Sequence, residues 1–409
     1  MAHSFPDDTD LNQIITSRIR ASVHNLLEVA RRIGREGIRG DTYGTLKELL
    51  CGIVDILSDG INDILDEIAQ ISEPDVKIHR SNRIHRVLEE YHYLIDTIES
   101  NTPQVPLEQY YFVRYVLLSL DQSDMKFVLI SGASLATTNL SDGLRRLFSS
   151  LFVDVANFLD NRFPYYWIVY VPPSLAGTPL NWPLVAHEIG HMMEKQKWQV
   201  VDKYYEYPVL STSSKQPFVE SDVKSRYAQE FQADYVAVSC FGPAYALKLL
   251  AVYYTREIVI SPTHPAWRER FMMMAERLEE TGFSGEAANL KQVGGDEKPL
   301  INRDGLEHLH TILSETEAKM QETRSIFMCE PGVKEKAKQR LSQFTPYTDD
   351  IRTLLCAADE ALNSLLSSVS NNDARSEIER DFNYLIADSI RLSYIKQISR
   401  SAFHSEADA

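Results

Sequence analysis

Two histidines four residues apart form the most informative motif in the sequence. His187-Glu188-Ile189-Gly190-His191 is an HExxH motif. On a helix, positions i and i+4 share one face, so both imidazoles can bind the same zinc ion. Glu188 lies next to that face, where it can take a proton from zinc-bound water and pass it to a leaving amine. The motif therefore predicts metal-assisted hydrolysis.

The residues around the motif suit a helix with a metal on one side and a core on the other. Val185, Ile189 and Met192 form an apolar stripe opposite the two histidines. Ala186 and Gly190 form a flank of small residues, where a second helix can approach closely. The stripe argues against the alternative, in which two unrelated histidines lie on a solvated helix.

A catalytic zinc ion needs a third protein ligand and one open position. Glu194 and Lys197 stand where the glycine and third histidine of an HExxHxxGxxH pattern would be, so that pattern is excluded. The favoured ligand is Glu230. Asp234, one helical turn further on, can accept the free ring N–H of a ligand histidine. Ala233 beside them permits close packing on the HExxH helix.

Other acidic residues compete for the role of third ligand. Glu220 and Asp222 are the nearest candidates, but they fall in a segment of mixed polarity without a clean period. The alternative for Glu230 and Asp234 is that both lie on the solvated face of an amphipathic helix. Their spacing within EFQAD favours the metal site.

HEIGH, followed about forty residues later by EFQAD, resembles the gluzincin zinc metallopeptidases. The most similar pattern is that of the branch containing the CAAX prenyl endopeptidases and the bacterial heat-shock membrane proteases. Its members carry E-x-x-A-D, then T-H-P, and an arginine six residues after that histidine. Thr263-His264-Pro265 and Arg270 match here. The likeness covers about Trp167 to Leu278, and the chain departs from those enzymes in having no apparent membrane helix.

The resemblance implies a role for each matched residue. His187, His191 and Glu230 would bind zinc, and Glu188 would act as general base and then as general acid. His264 would donate a hydrogen bond to the oxyanion of the tetrahedral intermediate. The alternative for His264 is a structural residue that begins the next helix before its proline.

The resemblance also implies a substrate. In this class a strand before the HExxH helix lines the cleft and pairs with extended substrate backbone, and Tyr166 to Val171 resembles that strand. We therefore expect a zinc endopeptidase that cleaves proteins or peptides. Two alternatives stay open: an aminopeptidase, although no GxMEN-like segment precedes the motif, and a non-proteolytic sensor or interaction protein with a structural zinc ion.

Apolar periodicity predicts a mainly α fold of the α+β class, with a zincin-like core, a small β element and flanking helical regions. The expected regions are an N-terminal helical bundle (1–104), the metallopeptidase core (105–285) and a C-terminal helical region (286–409). Strands are expected at Lys126–Ile130 and Tyr166–Val171. Helices are expected over three long N-terminal stretches and near 109–120, 144–159, 305–327, 349–367 and 376–399.

The composition of the chain limits which binding partners and cellular location are expected. With 42 basic and 58 acidic residues the formal charge is −16, which argues against nucleic-acid binding. No stretch reads as a membrane span or a signal peptide, and four widely spaced cysteines suit a reducing compartment, so a cytoplasmic protein is expected.

The N-terminal helices are expected either to bind a regulatory protein partner or to complete the core. Lys197–Ser225 is a candidate lid.

Overall fold

Helices account for most of the residues that the structure describes. The computed structural model describes residues 8–38, 44–148, 151–200, 220–253, 264–294, 303–322 and 331–407. Within these ranges a small mixed sheet of three strands accompanies the helices, so the prediction of a mainly α, α+β fold is confirmed.

The bounds of the elements follow the chain. The helices are α1 (Asp8–Glu36), α2 (Thr45–Ala69), α3 (Pro74–Asn101), α4 (Leu107–Ser119), α5 (Leu140–Phe148), α6 (Val153–Arg162), α7 (Pro173–Ala176), α8 (Val185–Met193), α9 (Glu220–Phe241), α10 (Pro243–Tyr253), α11 (Trp267–Glu280), α12 (Ser284–Gly294), α13 (Arg303–Glu322), α14 (Pro331–Ser342), α15 (Ile351–Leu366) and α16 (Asn372–Ala407). The strands are β1 (Phe127–Ser131), β2 (Ala136–Asn139) and β3 (Trp167–Val171). A π-helical segment, Glu194–Trp198, follows α8.

The chain divides into two compact units. One comprises Met1–Val105 with Met125–Tyr170, and the other comprises Pro106–Asp124 with Val171–Ala409. This division differs from the three regions predicted as 1–104, 105–285 and 286–409. In the first unit, Val128 of β1 belongs to the same apolar core as the N-terminal helices, and this shared core explains why the sheet joins them. In the second unit, α13 and α15 pack on α9, which places the C-terminal helices with the HExxH helix.

The three N-terminal helices form as predicted and pack on one another. Their apolar stripes carry fully buried residues, such as Ile19 on α1, Leu49 on α2 and Leu88 on α3. Burying such stripes against one another removes apolar surface from water, and this burial stabilises the bundle. The bundle is therefore a consequence of the local apolar period.

The sheet has the order β1-β3-β2, with β2 antiparallel to β3 and Ala136 opposite Tyr170. Strand β3 is therefore central and is hydrogen-bonded along both edges. A strand can pair with an extended peptide only along a free edge. The expectation that Tyr166–Val171 pairs with substrate backbone is wrong for this reason. The strand β2 was not predicted, because its four residues carry no distinctive alternation.

One helical prediction changed in detail. The single helix expected near 144–159 is two helices, α5 and α6. Farther along, α9 ends at Phe241 and α10 begins at Pro243. Between them lies Gly242, whose φ of 50° falls in the left-handed region. Glycine tolerates that backbone angle and proline suits a first helical position, which explains the break. Across the described residues, the structure contains no helix with the length and apolar character needed to cross a membrane.

Candidate metal centre

Helices α8 and α9 approach each other closely at a contact between two small residues. A Cβ atom built on Gly190 of α8 would lie 2.7 Å from the Cα atom and 3.2 Å from the Cβ atom of Ala233 on α9. Only glycine at position 190 allows this approach. The small-residue flank predicted on the HExxH helix therefore lies against α9, and the ligand candidates of the two helices meet.

The three predicted ligands converge on one point. His187 Nε2 lies 3.1 Å from His191 Nε2 and 3.2 Å from Glu230 Oε2, while His191 Nε2 lies 3.3 Å from Glu230 Oε1. Ligand atoms bound at about 2.0–2.2 Å to a tetrahedral ion lie about 3.3–3.6 Å from one another. The observed spacing is close to that range. His187, His191 and Glu230 form a buried group that can hold a metal ion.

The hydrogen bonds of the group point to a cation as well. His187 Nδ1 lies 2.9 Å from Asp234 Oδ1, so this nitrogen carries the ring proton and donates it to the carboxylate. The other ring nitrogen, Nε2, then presents a lone pair toward His191 and Glu230. Among the described residues, Glu230 Oε2 is buried without a hydrogen-bond donor. Facing lone pairs and a bare buried oxygen are both satisfied by a positive ion between them.

Asp234 is held in place from several sides. It is fully buried. Arg270 donates from Nε to Oδ2 at 2.5 Å and from Nη2 to Oδ1 at 2.7 Å, a bidentate pair. Tyr245 donates its hydroxyl proton to Oδ1 at 2.5 Å. The side chain of Trp267 lies under the guanidinium of Arg270, with 4.6 Å between Cζ and the ring centre. These contacts fix the carboxylate that orients His187.

The charges of the site favour a bound cation. Burial by itself lowers the pKa of His187, but the neighbouring carboxylates of Asp234 and Glu230 outweigh it and raise that pKa to about 10. A bound metal ion would displace the proton that this pKa implies on Nε2. Burial opposes ionisation of Glu230, yet His187 and His191 hold its pKa well below the usual value. Against the effect of burial, Arg270 lowers the pKa of Asp234 to about 2. Two carboxylates beside one guanidinium leave excess negative charge, which stabilises a cation at the imidazoles.

The two predicted catalytic residues lie at or beside the ligand group. Glu188 is buried, with 6% of its surface exposed, and among the described residues it has no hydrogen bond or ion pair. The His264 side chain is 53% exposed, and its Nε2 atom lies 3.7 Å from Glu230 Oε2. Burial lowers the pKa of His264, although Glu230 acts in the opposite direction. His264 therefore borders the site and faces solvent, while Thr263 lies outside the described residues.

The competing ligands and the candidate lid can be placed only in part. Glu220 and Asp222 belong to the first turns of α9, ten and eight residues before Glu230. At 1.5 Å per residue they lie about 15 Å and 12 Å away along the helix, too far to replace Glu230 as a ligand beside His187. The candidate lid Lys197–Ser225 lies largely outside the described residues.

Sequence reasoning missed one member of the site and left another without a role. Tyr245 was not predicted, and Arg270 was noted only as part of the resemblance. Tyr245 follows the helix break at Gly242 by three residues, and nothing in its local pattern separates it from an ordinary core tyrosine. The signal for Arg270 was the family pattern alone, and its pairing with the buried Asp234 became visible only in the structure.

Comparison with known proteins adds no relative. No protein-family model matches the chain, and no curated protein or solved structure shows significant similarity to it. The resemblance to the gluzincins accordingly rests on the motifs and on the buried group of His187, His191 and Glu230.

Proposed function

We propose that this protein is a gluzincin-type zinc endopeptidase that hydrolyses peptide bonds in proteins or peptides. The observation that carries the proposal is the convergence of two imidazoles and one carboxylate within 4.8 Å of one another. Two histidines and one glutamate are the ligand set of catalytic zinc sites that activate water. The nitrogen donors favour zinc over magnesium or calcium, which prefer oxygen ligands.

In the proposed reaction, each residue of the site has its own role. His187, His191 and Glu230 would hold a zinc ion, which would supply Lewis-acid polarisation and lower the pKa of bound water. Glu188 takes the proton of the attacking water and delivers it to the leaving nitrogen. His264, half exposed beside Glu230, donates a hydrogen bond to the oxygen that becomes negatively charged. The role of Glu188 is proposed from its place in the HExxH motif, and that of His264 from the motif resemblance and its proximity to Glu230.

The geometry favours a catalytic over a structural metal. Structural zinc ions are closed by four protein ligands. Among the described His, Cys, Asp and Glu residues, the group whose ligand atoms all lie within 4.8 Å of one another has three members, and His264 is not one of them. A coordination position is thereby left for water or substrate. The structural-zinc sensor and the aminopeptidase are outcomes that the experiment below distinguishes.

The proposal also includes a cytoplasmic location and a regulatory protein partner. Three described cysteines, Cys51, Cys240 and Cys356, are free thiols, which supports a reducing, cytoplasmic compartment. We propose a protein partner at the N-terminal helices, where Ile14 and Tyr93 are the most exposed of the described large apolar side chains of those helices and so the first positions to test. If a partner binds there, adding cytoplasmic extract should change the peptidase rate of the wild type. The same extract should leave the peptidase rate of an Ile14→Ser, Tyr93→Ser double variant unchanged.

The test combines metal analysis with an unbiased cleavage assay. Protein purified without chelator should contain about one zinc ion per chain. It should cleave members of a peptide library read by mass spectrometry, and cleavage should stop with chelator and return with zinc. Cuts within the peptides indicate an endopeptidase, and removal of single N-terminal residues indicates an aminopeptidase. Zinc without cleavage supports the sensor, and protein without zinc contradicts the proposal.

A further inference from the structure

The hydroxyl of Tyr245 and the ring of His187 meet at the same oxygen of Asp234. Tyr245 is fully buried, on α10, and its hydroxyl oxygen lies 2.5 Å from Asp234 Oδ1. The same hydroxyl oxygen lies 3.3 Å from His187 Nδ1. No step of the proposed reaction uses Tyr245, and its ring does not reach solvent. Its contacts are with the residues that orient a ligand.

The protons of this network can be assigned. Arg270 donates two hydrogen bonds to Asp234, so the carboxylate is ionised and can only accept. A tyrosine hydroxyl has one proton, and the short contact assigns it to Asp234. His187 Nδ1 must then be the donor in its own contact with Asp234, with the Tyr245 oxygen as a second acceptor. The remaining nitrogen, Nε2, is left with its lone pair toward His191 and Glu230.

We propose that Tyr245 is a positioning residue of the metal centre, which acts through Asp234 and the Nδ1–H group of His187. It holds Asp234 Oδ1 against the ring and offers the ring proton a second acceptor. Both contacts keep Nε2 aimed at the metal position. The inference rests on the proposed metal site, but it concerns the affinity and geometry of that site, so it can fail while the peptidase proposal stands.

A matched control exists in the same unit. Tyr115 on α4 is also buried, and its hydroxyl lies 2.7 Å from Asp350 Oδ1. Arg352 Nε donates to that same oxygen at 3.0 Å. Tyr115→Phe therefore removes the same kind of Tyr–Asp–Arg hydrogen bond from a network without a metal ligand. A loss of zinc affinity seen only in Tyr245→Phe indicates that Tyr245 positions the ligand. An equal loss of zinc affinity in both variants indicates general destabilisation of the fold.

The experiment measures the zinc Kd by competition with a chromophoric chelator at one fixed pH. Tyr245→Phe should weaken zinc binding by roughly 10- to 100-fold, the range found for outer-shell partners of metal ligands. Tyr115→Phe should leave the Kd within about threefold of the wild type. Unchanged affinity in Tyr245→Phe, or equal losses in both variants, would overturn the inference. Failure of the wild type to bind zinc would instead remove the metal site itself.

A second measurement needs no variant. In zinc-loaded wild-type protein, nuclear magnetic resonance should show His187 bound through Nε2, with a slowly exchanging Nδ1 proton. That proton should give a cross-peak to the hydroxyl proton of Tyr245. Coordination through Nδ1, or a Tyr245 hydroxyl in fast exchange with water, would overturn the inference even if Tyr245→Phe does not fold.

Discussion

Gly190 and Ala233 lie so close that a side-chain carbon added to the glycine would stand 2.7 Å from the Cα atom of the alanine. The pair belongs to neighbouring helices, α8 and α9, and each helix carries part of the ligand group beside it. Gly190 precedes His191 by one residue, and Ala233 follows Glu230 by three. The distance between the ligands therefore depends on this contact.

Replacing the glycine should separate the two helices. Gly190→Ala introduces a carbon that clashes with backbone, which the neighbour cannot relieve by a side-chain movement. We expect a loss of about 1–3 kcal/mol in the free energy of unfolding, together with weaker zinc binding. Gly143→Ala on α5 is the control, because nothing lies within 4 Å of the added carbon. Equal stability and equal zinc affinity in Gly190→Ala and wild type would contradict the role of this contact.

Removal of the third ligand should abolish metal retention. Glu230→Ala takes away the oxygen atoms that lie 3.2–3.3 Å from the two imidazole nitrogens. The zinc Kd should rise by more than the roughly 10- to 100-fold expected for outer-shell partners. Glu220→Ala, ten residues earlier on the same helix, should bind zinc as the wild type does. Elemental analysis and chelator competition measure both, and the reverse ranking would transfer the ligand role to Glu220.

Glu188 should matter for turnover and not for the metal. Glu188→Gln keeps the size of the side chain but cannot accept a proton, so peptide cleavage should fall at least ~10²-fold while zinc content stays at the wild-type level. The measurements are kcat on a peptide found by the library assay and zinc per chain. A variant that cleaves at the wild-type rate would show that another group is the base.

The ion pair between Arg270 and Asp234 should be essential for stability. Arg270→Met fills most of the same volume but leaves the fully buried Asp234 without its cation, which costs about 3–5 kcal/mol. Urea denaturation measures the loss. Arg391→Met, at an exposed ion pair with Asp388, is the control and should unfold at the same urea concentration as the wild type. A midpoint for Arg270→Met equal to that of the control would refute the expectation.

Asp350 should make the stability depend on acid pH. Burial opposes its ionisation, but Arg352 and Tyr115 hold the pKa of Asp350 below the usual value. A lowered folded-state pKa means that its contribution is complete above the unfolded-state pKa, about 3.9, and is lost as pH falls through the folded value. Asp350→Asn should therefore be less stable than wild type at pH 7, and the difference should shrink toward pH 3. A difference independent of pH would show that the charge is not responsible.

Local spacing was enough to predict the parts of this protein that depend on neighbouring residues in the chain. Residues four apart share one face of any helix, so the spacing alone shows that His187 and His191 lie side by side. The spacing of the apolar residues likewise places a stripe on the opposite face. The three N-terminal helices follow in the same way from the 3.6-residue period. The strand at Phe127–Ser131 follows from its run of β-branched and aromatic residues. EFQAD placed Glu230 and Asp234 one turn apart, but it could not show which histidine Asp234 would meet.

The remaining features depend on residues that are distant in sequence and were decided by packing. Tyr245 and Arg270 reach Asp234 because α10 and α11 both pack on α9, and no local pattern carries that information. The central position of β3 depends on pairing with two other strands, and that pairing closed both edges of the strand expected to bind substrate. Side-chain periodicity shows which face of an element is buried, whereas the partner of that face is chosen by the shape and charge of the whole core.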